Sequence, residues 1–213
     1  VRFAADDWAN STVQALQHYD WLQMWAEAID LGPQNEMLTR YHSFVWSWRH
    51  DIPPGNGYYT IPGPGPHFWH PGFAWAFTKR AFNVVGGLID WAILGGGDLF
   101  MARALTGVQT DKLPQNLGDT GKRLLKIWQA RADKHINRNV GYLPGTLLHY
   151  FHGTKAKRRY KDRGQILAGA GFDIEKDLKK DWQGLYTLEP GNAALRDGIR
   201  TYLSERDEDA TTV

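Results

Sequence analysis

An aspartate that directly follows three glycines is the residue of this chain best suited to acid–base chemistry. Gly95, Gly96 and Gly97 precede Asp98, and consecutive glycines let the backbone turn sharply and approach another group closely. Apolar residues at helical spacing follow, so we expect the carboxylate at the start of a helix. It either acts in a pocket or caps the helix, since Asp is a preferred N-cap residue.

Two histidines three residues apart form a second group with possible chemistry. His149 and His152 flank Tyr150 and Phe151, and neutral imidazole is a good ligand for Mn²⁺-like or Zn²⁺ ions. A stable metal site needs further ligands and supporting groups, which two histidines alone do not supply. The pair is therefore compatible with a metal site and also with two partly buried, hydrogen-bonded side chains.

A run of positive charge follows the second histidine directly. Most such runs form a solvated face, but beside a metal ligand the charges suit a phosphate or diphosphate group, because cations form charge-assisted hydrogen bonds with phosphate oxygens. Both interpretations remain open. The run consists of Lys155, Lys157, Arg158, Arg159, Lys161 and Arg163.

Tryptophan is frequent in this chain, which contains ten of these residues. Trp side chains can stack against sugar rings, although most of them fill protein cores. Trp69, Trp75 and Trp91 are candidates for stacking, and we expect at least one of them in the core. Asp90, directly before Trp91, either hydrogen-bonds substrate hydroxyls or serves as a turn residue.

Composition and charge narrow the range of functions. The 213 residues suffice for one large domain or two small ones. A net charge of +2 is too small to indicate nucleic-acid or membrane binding by itself. The chain has no cysteine, which excludes disulfides and thiolate zinc sites within it. Its apolar runs all fall short of the roughly 20 residues that cross a bilayer.

The patterning predicts a mixed α/β fold, in which strands and helices alternate along the chain. Helices are predicted from residue 6 or 7 to 17 and over residues 79–85 (ending at Gly86), 98–105, 120–136, 173–182 and 192–205. Strands are predicted over residues 21–25, 73–77 and 140–149, the last interrupted at Pro144-Gly145, and residues 41–48 are expected to be strand-like or extended. Residues 51–66 are rich in Pro and Gly and should form a long loop, either a lid or a surface insertion.

Asp98 and the His-plus-basic segment together resemble the catalytic C-terminal part of GT-A-fold glycosyltransferases. The matching residues are Gly86-Gly87, Ile93-Leu94-Gly95-Gly96-Gly97-Asp98, and Met101 and Arg103 in the following helix. This order is similar to the WGGED-type motifs of galactosyl- and N-acetylgalactosaminyltransferases, in which a Gly-Gly segment leads into a glycine-rich turn with an acid. The resemblance covers most of residues 1–165, and residues 166–213 are expected to be a C-terminal helical extension that packs on the same domain.

The resemblance implies a mixed sheet flanked by helices and metal-dependent transfer of a sugar from a nucleotide-diphosphate donor to a hydroxyl acceptor. Asp98 would be the general base in an inverting enzyme, or would position the sugar in a retaining one. His149, with His152 as the alternative, would bind Mn²⁺ or Mg²⁺. The implied diphosphate-binding residues are Lys155, Lys157, Arg158 and Arg159. The implied substrate-binding residues are Asp90, Trp91, Trp69, Trp75, Gly96 and Gly97, and residues 51–66 would be the lid.

The chain departs from this family in one respect. These enzymes bind the metal through an Asp-x-Asp motif that follows a Rossmann-like nucleotide-binding half, and Asp6-Asp7 lacks that spacing. In the family a short strand, a Trp and a helix follow the motif directly, as residues 1–3, Trp8 and Leu16 do here. We therefore expect Asp-x-Asp immediately before Val1 in the full-length protein.

A second class of function is compatible with the same residues. A glycosyltransferase-like scaffold without catalysis could bind glycan or belong to a larger assembly, because a fold does not determine a function. A nucleic-acid-binding module based on residues 155–163 is the weaker alternative, since acidic residues elsewhere and the lack of a recognisable motif count against it. The expected partners are thus a nucleotide sugar and a glycan or other hydroxyl acceptor, without nucleic acid and without a membrane segment in this chain.

Overall fold

A computed structural model of the chain describes residues 1–52, 69–108, 117–160, 162–206 and 208. Of the predicted loop at residues 51–66, all but Asp51 and Ile52 lie outside these described residues. The chain divides into two compact units. Unit 1 comprises Val1–Leu88, Asp98–Gln109 and Trp128–Phe151, and unit 2 comprises Ile89–Gly97, Thr110–Ile127 and His152–Val213.

The described strands of unit 1 form two sheets. Their bounds are β1 Arg2–Phe3, β2 Trp21–Gln23, β3 Glu27–Leu31, β4 Met37–Ser43, β5 Trp69–His70, β6 Trp75–Phe77, β7 Val140–Tyr142 and β8 Thr146–His149. One sheet has the order β1-β8-β3-β4-β5 and the other has the order β6-β2-β7. The pairs β3–β8, β4–β5 and β2–β7 are parallel, and the remaining pairs are antiparallel.

Helices lie between groups of these strands along the chain, and unit 2 contains a hairpin. The helices are α1 Trp8–Ala15, α2 Phe44–Arg49, α3 Lys79–Val85, α4 Gly97–Thr106, α5 Gly118–His135, α6 Gly164–Gly169, α7 Ile174–Asp177 and α8 Ala193–Glu205. The hairpin pairs β9 Leu178–Lys180 with β10 Tyr186–Leu188 in antiparallel orientation. Mixed parallel and antiparallel sheets with intervening helices confirm the predicted α/β class.

Local capping chemistry accounts for the most accurate helix prediction. The Thr78 side chain accepts a hydrogen bond from the backbone N–H of Ala81 at the start of α3. Gly86 ends this helix with a φ of 91°, a conformation that glycine adopts without steric cost. The observed bounds of α3 are those predicted.

Three other predictions were wrong in part. Residues 41–48 are not one extended segment, because Ser43 accepts a hydrogen bond from the N–H of Trp46 and so starts α2. The predicted helix at residues 173–182 is only the single turn of α7, followed by β9. The interruption predicted at Pro144-Gly145 is confirmed, but residues 140–142 and 146–149 pair in different sheets and do not form one strand.

Helix α5 also buries a slightly different face from the one predicted. Helical spacing over residues 120–136 predicts a buried face made of Leu124, Ile127, Trp128 and Ala132. The observed bounds lie close to the predicted ones, and Trp128 and Ala132 are buried. Ile127, however, is 39% exposed, and Leu125 is buried instead. The apolar stripe is therefore rotated by part of a turn from the face inferred from spacing.

The core of unit 1 lies partly against one face of the five-stranded sheet. Trp25, Ala28 and Leu147 are fully buried there, and Phe73 packs against them. A second apolar cluster joins Phe44 and Trp69 with Leu99 and Ala102 of α4. The second cluster holds the start of α4, and with it Asp98, in unit 1.

Candidate functional site

One face of the five-stranded sheet presents a group of polar and aromatic side chains. Because successive strand residues point to opposite faces, Ala28 and Asp30 of β3 share a face. The register places Leu147 and His149 of β8 beside them, and Tyr41 of β4 opposite Ala28. Asp30 and His149 lie side by side near the carboxyl ends of two parallel strands.

The Asp30 carboxylate orients the His149 ring. His149 Nδ1 lies 2.8 Å from Asp30 Oδ1, and only 6% of the Asp30 side chain is exposed. A carboxylate accepts hydrogen bonds, so the imidazole proton belongs on Nδ1. In the neutral ring Nε2 then has the lone pair that a metal ion requires, the arrangement in which a carboxylate positions a metal-binding histidine.

Phe73 lies between His149 and a second histidine, His70. The Phe73 ring stacks on His70 with a centroid distance of 4.3 Å and an interplanar angle of 7°. Its centroid lies 4.6 Å from that of His149. Phe73 has a φ of 68°, which is rare for a bulky residue and marks a strained backbone. Such strain often occurs at functional sites.

The Asp98 carboxylate and the His70 ring both lie beside Gly72. Asp98 Oδ1 accepts a hydrogen bond of 2.8 Å from the backbone N–H of Leu99 in the first turn of α4. A Cβ atom added to Gly72 would lie 3.1 Å from Asp98 Oδ2 and 3.0 Å from His70 Cε1. One carboxylate oxygen therefore binds the helix backbone, while the other lies close to Gly72, as the His70 ring does.

Residues 70–72, called here the 70–72 turn, are held by a buried glutamine. Gln23 is fully buried, and its amide donates hydrogen bonds to the carbonyls of His70 at 2.9 Å and Gly72 at 3.4 Å. Its Oε1 accepts from the N–H of Val45 at 3.0 Å. The N–H of Gly72 donates to His70 Nδ1 at 3.1 Å, which places the proton of a neutral His70 on Nε2.

The structure thus brings Asp98 and His149 into one continuous group of side chains in unit 1. The order is Asp98, His70, Phe73, His149 and Asp30: the first two both lie beside Gly72, the next two links are ring contacts, and the last is a hydrogen bond. Sequence patterns identified the first and fourth of these. A Pro-Gly turn directly after His70, and an acid on the buried face of a strand at Asp30, were the available signals for two of the others.

The two tryptophans of unit 1 that were predicted to stack on substrate have structural contacts. Trp69 is 9% exposed and packs edge-on against Phe44 with a centroid distance of 5.1 Å. Trp75 donates its indole N–H to the carbonyl of Pro71 at 2.7 Å and so fixes the 70–72 turn. Trp69 therefore belongs to the apolar core, and Trp75 holds the 70–72 turn in place.

Four predicted substrate-binding residues lie in unit 2. Asp90 forms an ion pair of 3.0 Å with Lys180, and this hydrogen bond raises the pKa of the lysine. Trp91 is buried at 8% exposure. Gly96 has a φ of 94°, and a Cβ on Gly97 would lie 2.7 Å from the carbonyl oxygen of Ile89. These contacts give the two glycines a role in the turn.

The basic segment divides into buried and exposed side chains. Arg158 is 8% exposed, and its guanidinium donates to the carbonyl and ring of His152 and to the hydroxyl of Tyr160. Its own carbonyl accepts from the Tyr202 hydroxyl at 3.1 Å. Arg158 therefore belongs to the interior of unit 2.

The basic residues next to Arg158 in the sequence lie at the surface. Lys155 and Lys157 are exposed, and Lys157 and Arg159 line an open groove of about 720 Å³. Arg159 lies 3.0 Å from the Asp162 carboxylate and 3.6 Å from that of Glu205. The groove is positively charged only in part.

The histidines differ in their fitness for a metal ion. Among the residues that the structure describes, no group of three or more His, Asp or Glu side chains forms a metal site. His149 with Asp30 offers one well-oriented ligand. The His152 ring contacts the Arg158 guanidinium, a hydrogen-bond donor that competes with a cation for the ring nitrogens. These contacts favour His149 over His152.

No family model, curated protein or solved structure matches this chain. In the described part of the chain, no helix combines the length and the apolar character that a membrane span requires. The function is therefore inferred from the residues and their contacts alone.

Proposed function

We propose that this chain is the catalytic part of a glycosyltransferase, which moves a sugar from a nucleotide-diphosphate donor to a hydroxyl acceptor. The observation that supports this function most directly is the placement of Asp98. Its Oδ1 accepts a hydrogen bond from the helix backbone, which fixes the carboxylate at the start of α4, and its Oδ2 lies beside Gly72. A carboxylate fixed in this way can accept the proton of an acceptor hydroxyl.

In the inverting form of the reaction, Asp98 takes the proton as the acceptor oxygen forms a bond to the anomeric carbon of the sugar. The bond between that carbon and the diphosphate oxygen breaks, and the diphosphate leaves with the electron pair. In the retaining form, the same carboxylate positions the sugar. Arg158, which was predicted to bind the diphosphate, is assigned to the core of unit 2 because it is buried.

The chemistry of the His149–Asp30 pair fits one ligand position of a Mn²⁺ or Mg²⁺ site. A cation bound there would supply charge stabilisation for the leaving diphosphate. Arg2 pairs with Leu148, so the amino end of β1 lies beside the carboxyl end of β8.

Calorimetry of the full-length protein with UDP-glucose, UDP-galactose, UDP-GlcNAc and UDP-GalNAc, each with and without Mn²⁺, tests this function. We expect saturable binding of at least one donor that depends on the metal. Glycan binding without any nucleotide-sugar binding would identify a non-catalytic scaffold instead.

Two variants then separate the roles. Asp98→Asn should lower transfer by about 10²–10⁴-fold, the usual contribution of a general base, and leave donor binding intact. His149→Ala should weaken Mn²⁺-dependent donor binding, and His152→Ala is its matched control. Unchanged turnover of Asp98→Asn would refute the base assignment, and an effect of His152→Ala alone would move the metal ligand to unit 2.

A further inference from the structure

We propose that Arg163 is a positioning residue, which holds the glycine turn at residues 95–97 in one conformation and so fixes the segment that leads into Asp98. The guanidinium of Arg163 lies against Gly95, and α4 begins two residues later at Gly97. The inference rests on the proposed function and adds one residue to it. It also connects the glycine turn with the basic segment, two motifs that the sequence presents separately.

Three consecutive glycines do not fix a backbone conformation by themselves. Gly95 has a φ of 95° and Gly96 a φ of 94°, in a region that glycine reaches freely but from which it can also leave freely. The N–H of Gly95 donates a hydrogen bond of 2.8 Å to the carbonyl of Ala92. A contact from a distant part of the chain is what can restrict the rest of the turn.

The Arg163 guanidinium makes such a contact. A Cβ added to Gly95 would overlap Nη2 of Arg163 and would lie 2.9 Å from its Cζ and 3.3 Å from its Nη1. These three atoms belong to one plane, so the guanidinium covers Gly95 on the side where a side chain would stand. The packing is tight and therefore restricts the turn as well as the arginine.

Two tyrosines of unit 2 in turn hold the guanidinium. Arg163 Cζ lies 4.7 Å from the ring centroid of Tyr160, which is a cation–π contact. Arg163 Nη1 lies 3.5 Å from the hydroxyl oxygen of Tyr202, a residue that is 1% exposed. A planar guanidinium can lie flat between a ring and a glycine, whereas a lysine ammonium on a flexible stem cannot.

A looser turn should affect the transfer step more than donor binding. Asp98 follows Gly97 directly, and its Oδ1 is bound to the N–H of Leu99, so the carboxylate moves with the first turn of α4. A displacement of about 1 Å in a reacting group can lower the rate by about 10²-fold. The guanidinium of Arg163 is engaged by Gly95 and Tyr160, so we expect the donor affinity to depend little on it.

Hydrogen–deuterium exchange of the full-length protein tests the turn without any activity. Arg163→Ala and Arg163→Lys should each speed the exchange of residues 95–99 by about tenfold or more, because local opening costs less free energy once a packing contact is lost. Arg200→Ala is the matched control, since Arg200 is an exposed arginine of the same unit. It should leave the exchange of residues 95–99 unchanged.

The transfer reaction tests the consequence for Asp98. The probes are whichever of the four UDP-sugars binds and a panel of methyl glycosides as acceptors. Both Arg163 variants should lower kcat by about 10–100-fold and leave the donor Kd within about twofold. Guanidinium chloride, kept well below the concentration that unfolds the protein, should restore part of the kcat of Arg163→Ala. A general loosening of the fold would not be repaired in this way.

The possible results are distinguishable. Unchanged exchange of residues 95–99 in both Arg163 variants would overturn the positioning role, whether or not transfer is detected. An equal fall of kcat and donor affinity would also overturn it and would assign Arg163 to the diphosphate. Full activity of Asp98→Asn would refute the proposed function itself. Should Arg163→Ala fold poorly, Arg163→Lys decides the matter, because it keeps the positive charge and most of the stem.

Discussion

Phe73 provides a test of the site geometry that does not depend on any activity. Its φ of 68° lies in the left-handed region, where a residue with a Cβ is about 1–2 kcal/mol less stable than in the right-handed form. Glycine escapes this cost, but it loses about 0.4–1 kcal/mol more conformational entropy on folding than alanine. We therefore expect Phe73→Gly to be more stable than Phe73→Ala by about 0.5–1 kcal/mol, the reverse of the usual order.

Both variants should be less stable than the parent protein. They lose ring contacts with His70, His149 and Trp25, and truncation of a half-buried phenylalanine costs about 2–3 kcal/mol, somewhat less than in a full core. The free energy of unfolding is measured by urea denaturation with circular dichroism. Variants are compared only if the free energy of unfolding falls with urea concentration at the same slope as in the parent protein, because a changed slope indicates a different unfolded or intermediate state.

Phe77 in β6 is the matched control, since its backbone is extended. At this position we expect Phe77→Ala to be more stable than Phe77→Gly by about 0.4–1 kcal/mol. If Phe73→Ala proves at least as stable as Phe73→Gly, the left-handed backbone at position 73 is wrong, and with it the placement of the ring between the two histidines.

Three further predictions concern stability. A hydrogen bond from Thr120 lowers the pKa of Asp173, so the contribution of this carboxylate to stability is present above pH 3.8 and is lost as the pH falls through the lowered value. We expect Asp173→Ala to lower the free energy of unfolding by about 1 kcal/mol at pH 7 and by less at pH 3, measured by urea denaturation. Burial lowers the pKa of His42 from 6.5, so the unfolded chain binds more protons below that pH and stability falls; His42→Phe should flatten this loss between pH 7.5 and pH 5.5 in the same assay. Arg158→Ala should cost about 1–3 kcal/mol because it removes a buried guanidinium and its hydrogen bonds to His152 and Tyr160, whereas the exposed Lys157→Ala should stay within about 0.5 kcal/mol. Equal melting temperatures of the last two variants would contradict the buried placement of the arginine.

The elements that the sequence predicted well are those determined by local chemistry. Helix α3 has a side-chain cap at Thr78 and a glycine at its end, and both signals lie within a few residues. Helix α4 similarly starts beside Asp98. The segment at residues 41–48 was mispredicted because alternating aromatic residues suggested a strand, whereas the hydrogen bond from the N–H of Trp46 to Ser43 starts a helix.

The site was predictable only in part, because its members meet through strand pairing. Asp98 and His149 are adjacent to recognisable motifs and were identified. The partner of His149, Asp30, is 119 residues away in the chain. No local sequence pattern predicts that these two strands pair with the two residues side by side. His70 and Phe73 were missed for a related reason: a strained turn brings the ring of Phe73 onto two histidines from different strands.

The parallel pairings also determine when unit 1 can be completed during synthesis. Both β2 and β3 pair with strands that follow them by more than 100 residues, since Trp21 pairs with Val140 and Ala28 with Leu147. Contacts of such sequence separation form slowly, because the long intervening chain loses entropy before the strands meet. A nascent chain must therefore expose the unpaired backbone edges of β2 and β3 until residue 149 has left the ribosome. During that interval these edges can pair with other chains or bind a chaperone.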